Sequence, residues 1–233
     1  MRPRASSDSS ESASRLPQDV VAAGYDAMCA SYAKWAARVD GDPRERYVAK
    51  LLALAAERPD VLEIGCGAGV EPTPTLARRA RLVGIDISRS QIDRARTAVP
   101  DAEFIHGDAT TARFASDSFD AVLALYVLTH VPRSELPALL RRIGDWLRPQ
   151  GAFLATFGGG GSHDSFVDDF LGAPMFFSGF DAETNERLVQ EAGLTIVESQ
   201  LEPMREPESE PGRGEETSIF HWILARKELS RAR

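Results

Sequence analysis

Cysteine is nearly absent: Cys29 and Cys66 are the only thiols in 233 residues, too few for a disulfide framework. The four histidines, at 106, 130, 163 and 221, are scattered. Neither they nor the cysteines show metal-ligand spacing, so no metal is expected. Lysine occurs only at 34, 50 and 227, and arginine supplies the rest of the 27 basic residues, against 35 acidic ones. The net charge of −8 argues against a nucleic-acid partner, because a phosphate backbone is bound by clustered positive charge. No apolar run approaches the ~20 residues of a bilayer span, so no membrane partner is expected. Residues 1–15 are polar and lack the apolar stretch of a secretory signal. A reduced cytoplasm is the expected setting, and the length suits one domain with an ample core.

What is present begins at Val61-Leu62-Glu63-Ile64-Gly65-Cys66-Gly67-Ala68-Gly69-Val70. A short buried strand runs into a glycine loop, with a carboxylate at the joint. Glycines let the backbone turn tightly and approach a ligand with no Cβ in the way. Many such loops cradle phosphate, yet here Glu63 stands beside the loop and no Lys or Arg lies between Asp60 and Leu76. A carboxylate repels an anion, so the pocket should take a cationic, hydroxyl-rich ligand. S-adenosylmethionine, with a sulfonium, an ammonium and a ribose diol, fits that description. The dinucleotide fingerprint also fails in its spacing, because its third glycine would fall at Val70.

Two further strands end in acids. Arg81-Leu82-Val83-Gly84-Ile85-Asp86 places a carboxylate where an adenosine ribose can be held. Phe104-Ile105-His106-Gly107-Asp108 ends in another, able to accept from an adenine amino group. A fourth strand, from Phe119 to Leu125, is nearly all apolar, as expected where both faces of a parallel sheet are covered. In an open α/β sheet, Glu63, Asp86 and Asp108 would line one crevice.

These segments, from about Val61 to Phe157 and more loosely to Arg226, resemble the class I S-adenosylmethionine-dependent methyltransferases, the small-molecule branch in particular. The resemblance implies a Rossmann-like, seven-stranded, mostly parallel sheet with helices on both faces and the last strand antiparallel. It implies that Glu63, Gly65, Cys66 and Gly67 hold the methionine end, that Asp86 binds the ribose diol and that Ile87 packs on the adenine. Asp108 and Ala109 would face the adenine edge, and Leu125 would offer its carbonyl to the ammonium. Tyr25 and Tyr32, in the N-terminal segment, would approach the cofactor carboxylate. The activity implied is methyl transfer to O, N, S or C of a small molecule, with antibiotic or other secondary-metabolite tailoring as its setting.

Along the chain, 1–16 is expected to be a disordered tail and 17–57 an N-terminal helical lid. Residues 58–228 form the cofactor-binding core. Apolar side chains at 20, 21, 25, 28, 32 and 35 predict one face of a helix over 17–39, and a second helix spans 43–56. Further helices are expected at 70–79, 88–98, 134–147 and 181–192. Strands are expected at 60–64, 82–86, 102–106, 119–125, 151–157, 194–200 and 218–226, an alternation that signals βαβ units. Between the last two strands, 202–216 holds six Glu and two Arg in a loose acidic stretch.

The aromatic face of the first helix is either core packing or a lid of Tyr25, Tyr32 and Trp35, whose rings would attract a sulfonium. The insertion 158–180 opens on four glycines and is unusually apolar for a surface loop. It is either tucked against the sheet end or forms the wall of an apolar acceptor pocket. Its candidate acceptor contacts are His163, Phe166, Phe170, Met175 and Phe176, joined by Tyr126 from the fourth strand. His130 is the candidate general base, its ordinary pKa suiting the role; the alternative is a local hydrogen bond at a helix start. Cys66 has no evident base beside it, and Asp120 is expected to be a strand-end carboxylate without a ligand. Two other classes stay open: a nucleotide-linked oxidoreductase, and a non-catalytic S-adenosylmethionine-binding regulatory protein. Oligomeric state is also open, a homodimer among the options.

Overall fold

A computed structural model describes residues 16–36, 38–207 and 216–229. Strands and helices alternate as the periodicity requires: β1 (Asp60–Ile64), β2 (Arg81–Asp86), β3 (Glu103–His106), β4 (Phe119–Ala124) and β5 (Leu147–Gly158) are interleaved with α3 (Thr73–Arg79), α4 (Arg89–Ala98) and α5 (Leu136–Trp146). Ahead of them stand α1 (Pro17–Ala36) and α2 (Arg44–Leu54). After them come a hairpin, β6 (His163–Phe170) and β7 (Ala173–Gly179), then α6 (Ala182–Glu191), β8 (Leu194–Glu206) and β9 (Glu216–Lys227).

Seven strands make one sheet in the order β3-β2-β1-β4-β5-β9-β8. The β1–β2, β2–β3, β1–β4 and β4–β5 pairs are parallel, and β9 is antiparallel to both neighbours. This is the Rossmann-like architecture with an antiparallel last strand. Alternation sends successive side chains to opposite faces. Leu62, Ile64, Val122, Ala124 and Phe153 join α5 and α6 in one apolar layer. Val61, Ala121, Leu123, Leu154 and Trp222 meet α2 and α3 in the other, where Trp222 stacks on Tyr47 at 4.5 Å. Strand order reverses between β1 and β4, and the crevice beyond their C-terminal ends is where such sheets bind ligands.

The opposite edge is closed by ion pairs. Asp120 accepts from the Asp60 amide at 2.8 Å and pairs with Arg148 at 2.7 Å, so it is a structural carboxylate far from the crevice.

Helix α1 packs on the hairpin and on α4 rather than on the sheet. Val21 and Met28 meet Ala173, Met175 and Phe176 in a small separate cluster. The contact at Gly24 is close: a Cβ there would lie 2.7 Å from the Pro174 carbonyl oxygen. At its middle, α1 is pinned to α4. One Asp26 carboxylate oxygen accepts from Ser88 Oγ at 2.6 Å and from the Ser90 amide at 2.9 Å, and Ser88 itself caps α4.

Three boundaries differ from expectation. The insertion 158–180 is a two-stranded hairpin and not a loop, because β6 and β7 pair from His163↔Gly179 onward. Strand β8 continues through 201–206, paired with β9 from Leu194↔Lys227 to Glu206↔Glu216. That pairing makes a ribbon out of half the supposed acidic loop; 208–215 lie outside the described residues, as do 1–15 of the supposed tail. Helix α3 starts at Thr73, its N-cap position held by Pro72. Among the described residues no helix is long and apolar enough to cross a membrane.

Candidate active site

Two adjoining cavities open at the C-terminal edge of the sheet, of about 370 Å³ and 560 Å³. The first is built from strand ends. Gly65 turns the chain with φ +72° and its amide donates to the Ile85 carbonyl at 2.7 Å, tying the loop to β2. A side chain at 65 would meet Val127 at 2.6 Å. Gly69, also at φ +72°, lies against α4, where a Cβ would come 3.0 Å from Ala95 Cα. Both positions therefore need glycine.

Glu63 is 4% exposed. Its Oε1 accepts from Thr73 Oγ1 at 3.1 Å, while Oε2 is buried without any partner. Burial pushes its pKa up to about 8. Asp86 accepts from the Gly67 amide at 2.9 Å on one oxygen and from the Ser88 amide at 2.8 Å on the other. Burial still raises its pKa against those two bonds. Each oxygen keeps capacity for a further donor. Asp108 accepts from the Thr110 amide and hydroxyl, both at 2.7 Å. Cys66 is buried and its thiol pKa is raised by desolvation, which removes the thiolate a nucleophile requires.

His130 sits in a 3₁₀ turn (Leu128–His130) after β4 and lines both cavities. Its Nδ1 lies 2.8 Å from the Phe176 carbonyl, which only accepts, so Nδ1 carries the proton. Nε2, 2.8 Å from the Tyr25 hydroxyl, therefore accepts from it. Burial lowers the imidazole pKa to about 4. The expected base with an ordinary pKa is thus a neutral histidine engaged at both nitrogens, because it is enclosed by α1 and β7.

All the expected cofactor residues line the first cavity: Tyr25, Tyr32, Glu63, Gly65, Cys66, Gly67, Asp86, Ile87, Asp108, Ala109 and Leu125. Tyr126 lines both cavities, in the left-handed region at φ +59° and with its hydroxyl donating to Asp42 at 2.7 Å. Of the insertion's candidates only Phe170 lines the second cavity. His163 is exposed and bonded back to the Gly161 carbonyl, and Phe166 is 56% exposed. Met175 and Phe176 are buried against α1. A hairpin points alternate side chains to opposite faces, so its apolar residues cannot all form one wall.

Phe177, an apolar residue of the insertion not among the candidate contacts, does line the chamber, and sequence reasoning missed Arg44. Among the described residues Arg44 is the only lysine or arginine lining either cavity, and it lines both. It pairs with Asp42 at 2.5 Å, donates to the Glu71 carbonyl at 2.7 Å and lies over the Tyr126 ring at 5.2 Å. The first cavity therefore contains one cation beside its carboxylates, brought from α2. The clue was Asp42-Pro43-Arg44, an acid–base pair around the proline that opens α2.

Residues 61–151 match a family model described as "Methyltransferase domain". A phosphatidylethanolamine N-methyltransferase of Cereibacter sphaeroides is 33% identical over 122 residues, covering 47% of this chain and 58% of its own. The curated relatives are matched over only 30% to 59% of their own lengths. Among solved structures, a Burkholderia thailandensis 1,6-didemethyltoxoflavin-N1-methyltransferase with bound S-adenosylhomocysteine aligns with a TM-score of 0.63 at 20% identity, covering 88% of this chain and 84% of that one. A [4+2] cyclase aligns with a TM-score of 0.66 at 17% identity, covering 93% and 98%. Identities this low establish a shared fold.

Proposed function

We propose, from the match of residues 61–151 to a methyltransferase-domain family, that the chain transfers a methyl group from S-adenosylmethionine to a small-molecule acceptor. The observation that carries this reading is Glu63 Oε2, a buried carboxylate oxygen without a partner on the wall of the first cavity. A buried, unpaired polar atom costs free energy, and an ammonium group would satisfy it. Asp86, with room for two hydroxyl donors, suits a ribose diol. Arg44 is the counter-charge within reach of a carboxylate. These residues fit the cofactor's three polar ends, and the loop between them carries no cation for a pyrophosphate.

Bound there, the cofactor would supply a methyl group made electrophilic by its sulfonium. The chain's own part is orientation and water exclusion. Glu63 and Asp86 hold the two ends, while Tyr25, Tyr32 and His130 line both cavities where donor and acceptor would meet. His130 positions Tyr25 through Nε2. The second cavity and the net charge of −8 support a small acceptor rather than a nucleic acid.

Isothermal calorimetry against S-adenosylmethionine, S-adenosylhomocysteine and NAD tests the donor. Binding of the first two and not the third is expected, and the reverse would overturn the reading. One fold neighbour is named a cyclase, so binding alone does not establish transfer. Label moving from methyl-labelled donor to an acceptor does.

A further inference from the structure

The walls of the second cavity close on themselves. Tyr25 lies edge-on to Tyr32 at 5.1 Å, and Tyr32 stacks on Trp35 at 5.8 Å. Trp35 meets Phe170 at 6.0 Å, and Phe170 meets Phe177 at 5.2 Å. Phe177 meets the His130 ring at 4.9 Å, and His130 returns to Tyr25 at 5.3 Å. All six line the chamber, a continuous collar of rings supplied by α1, the hairpin and the 3₁₀ turn. Three of them, Trp35, Phe170 and Phe177, line the second cavity but not the first, so a sulfonium in the donor cavity does not account for them.

Among the described residues, two of the three charged side chains on the chamber wall are acidic. Asp169 and Glu206 stand on the chamber wall. Burial above all, with Glu206 a lesser contributor, holds the Tyr25 and Tyr32 hydroxyls protonated. The third, Arg44, pairs with Asp42 and is the counter-charge assigned above to the donor's carboxylate. Aromatic faces attract cations and repel anions, so rings and carboxylates favour the same kind of ligand.

Resting on the donor reading above, we propose that the acceptor is an amine on an apolar or aromatic body, its nitrogen held within this collar as an ammonium before and after transfer. The ammonium first loses a proton to water at the chamber mouth. The nitrogen lone pair then attacks the methyl carbon; the C–N bond forms as the C–S bond breaks, and that electron pair stays on sulfur. The positive charge passes from sulfur to nitrogen and stays among the rings.

The test uses the full chain saturated with S-adenosylhomocysteine, whose binding is measured first. Calorimetry then compares three probes of similar bulk: benzyltrimethylammonium, its neutral carbon isostere neopentylbenzene, and phenylacetate. The cation should bind at least tenfold tighter than either of the others. Trp35→Leu and Phe170→Leu should each weaken the cation about tenfold with S-adenosylhomocysteine affinity unchanged, and Trp35→Phe should retain most of the cation's affinity. Equal or tighter binding of the neutral or anionic probe, no binding of any probe, or a cation affinity indifferent to Trp35→Leu, overturns the proposal. If wild type ignores S-adenosylhomocysteine, the methyltransferase reading falls instead, and the three-probe comparison on the free protein still decides the collar's preference. Should a leucine variant fail to fold, Trp35→Phe and the wild-type comparison stand on their own.

Discussion

The two cavities share a wall but are made differently. The donor cavity is lined mainly by backbone turns and carboxylates at the ends of β1, β2 and β3 and the loop after β4. Its parts are held by the sheet itself. The acceptor chamber is assembled from side chains of α1, the β6–β7 hairpin and the β8–β9 ribbon, elements that meet only in the folded chain. Substitutions on the donor side should therefore act through strain and lost polar partners. On the chamber side they should act mainly on what is bound.

The sharpest way to break this contrast is at the glycines. Gly65→Ala forces a Cβ within 2.6 Å of Val127 at φ +72° and should cost about 3 kcal/mol or more in chemical denaturation. A loss under about 1 kcal/mol would show that the loop is not held by the sheet. Next comes Asp86→Ala, which should weaken S-adenosylmethionine binding about 100-fold, roughly 2.7 kcal/mol, by removing two hydroxyl contacts to a carboxylate. Unchanged affinity by calorimetry would refute the ribose assignment.

Glu63 provides a pH test of the same side. With its pKa raised to about 8 by burial, the neutral carboxyl stabilises the free protein. That contribution is complete below the ordinary carboxyl pKa and is lost as pH rises through about 8. A ligand ammonium needs the ionised form. Binding should therefore release a proton and tighten with pH, by up to tenfold (about 1.4 kcal/mol) per unit between roughly pH 5.5 and 7. Calorimetry in buffers of different ionisation enthalpy reads the proton, and Glu63→Gln should abolish both effects.

Smaller again, Tyr25→Phe leaves His130 Nε2 buried and unpaired, a loss of about 1 kcal/mol in denaturant midpoint analysis. An unchanged midpoint would mean that water takes the hydroxyl's place. Smallest is Gly160→Ala on the chamber rim. A Cβ there meets nothing within 4 Å, and the stability change should stay within about 0.5 kcal/mol.

Legibility in the sequence follows the same division. Glu63, Gly65, Asp86 and Asp108 lie at fixed intervals because each ends or follows a strand of one parallel sheet, so their convergence could be read from spacing alone. Arg44 could not: its place depends on how α2 crosses the sheet. The hairpin was missed because Gly, Asp and Ser interrupt its apolar residues, masking a two-residue period. Phe170 and Phe177 line the chamber while Met175 and Phe176 are buried with α1 and Phe166 stays exposed, a division that depends on how α1 lies across the hairpin. His130 was found by position, but its character was set by Tyr25, 105 residues away. For Asp86 the crevice predicted from strand order and the observed cavity coincide.

The pin at Asp26 has a consequence for both cavities. The residues it grips, Ser88 and Ser90, begin the helix that follows Asp86, so the first helix is fastened at the rim of the nucleoside seat. The helix carries rings shared by both cavities, and Tyr25 on His130, Cys29 on Gln91 and the apolar contacts to the hairpin hold it as well. One element thus roofs both compartments, and its several anchors keep their shapes coupled.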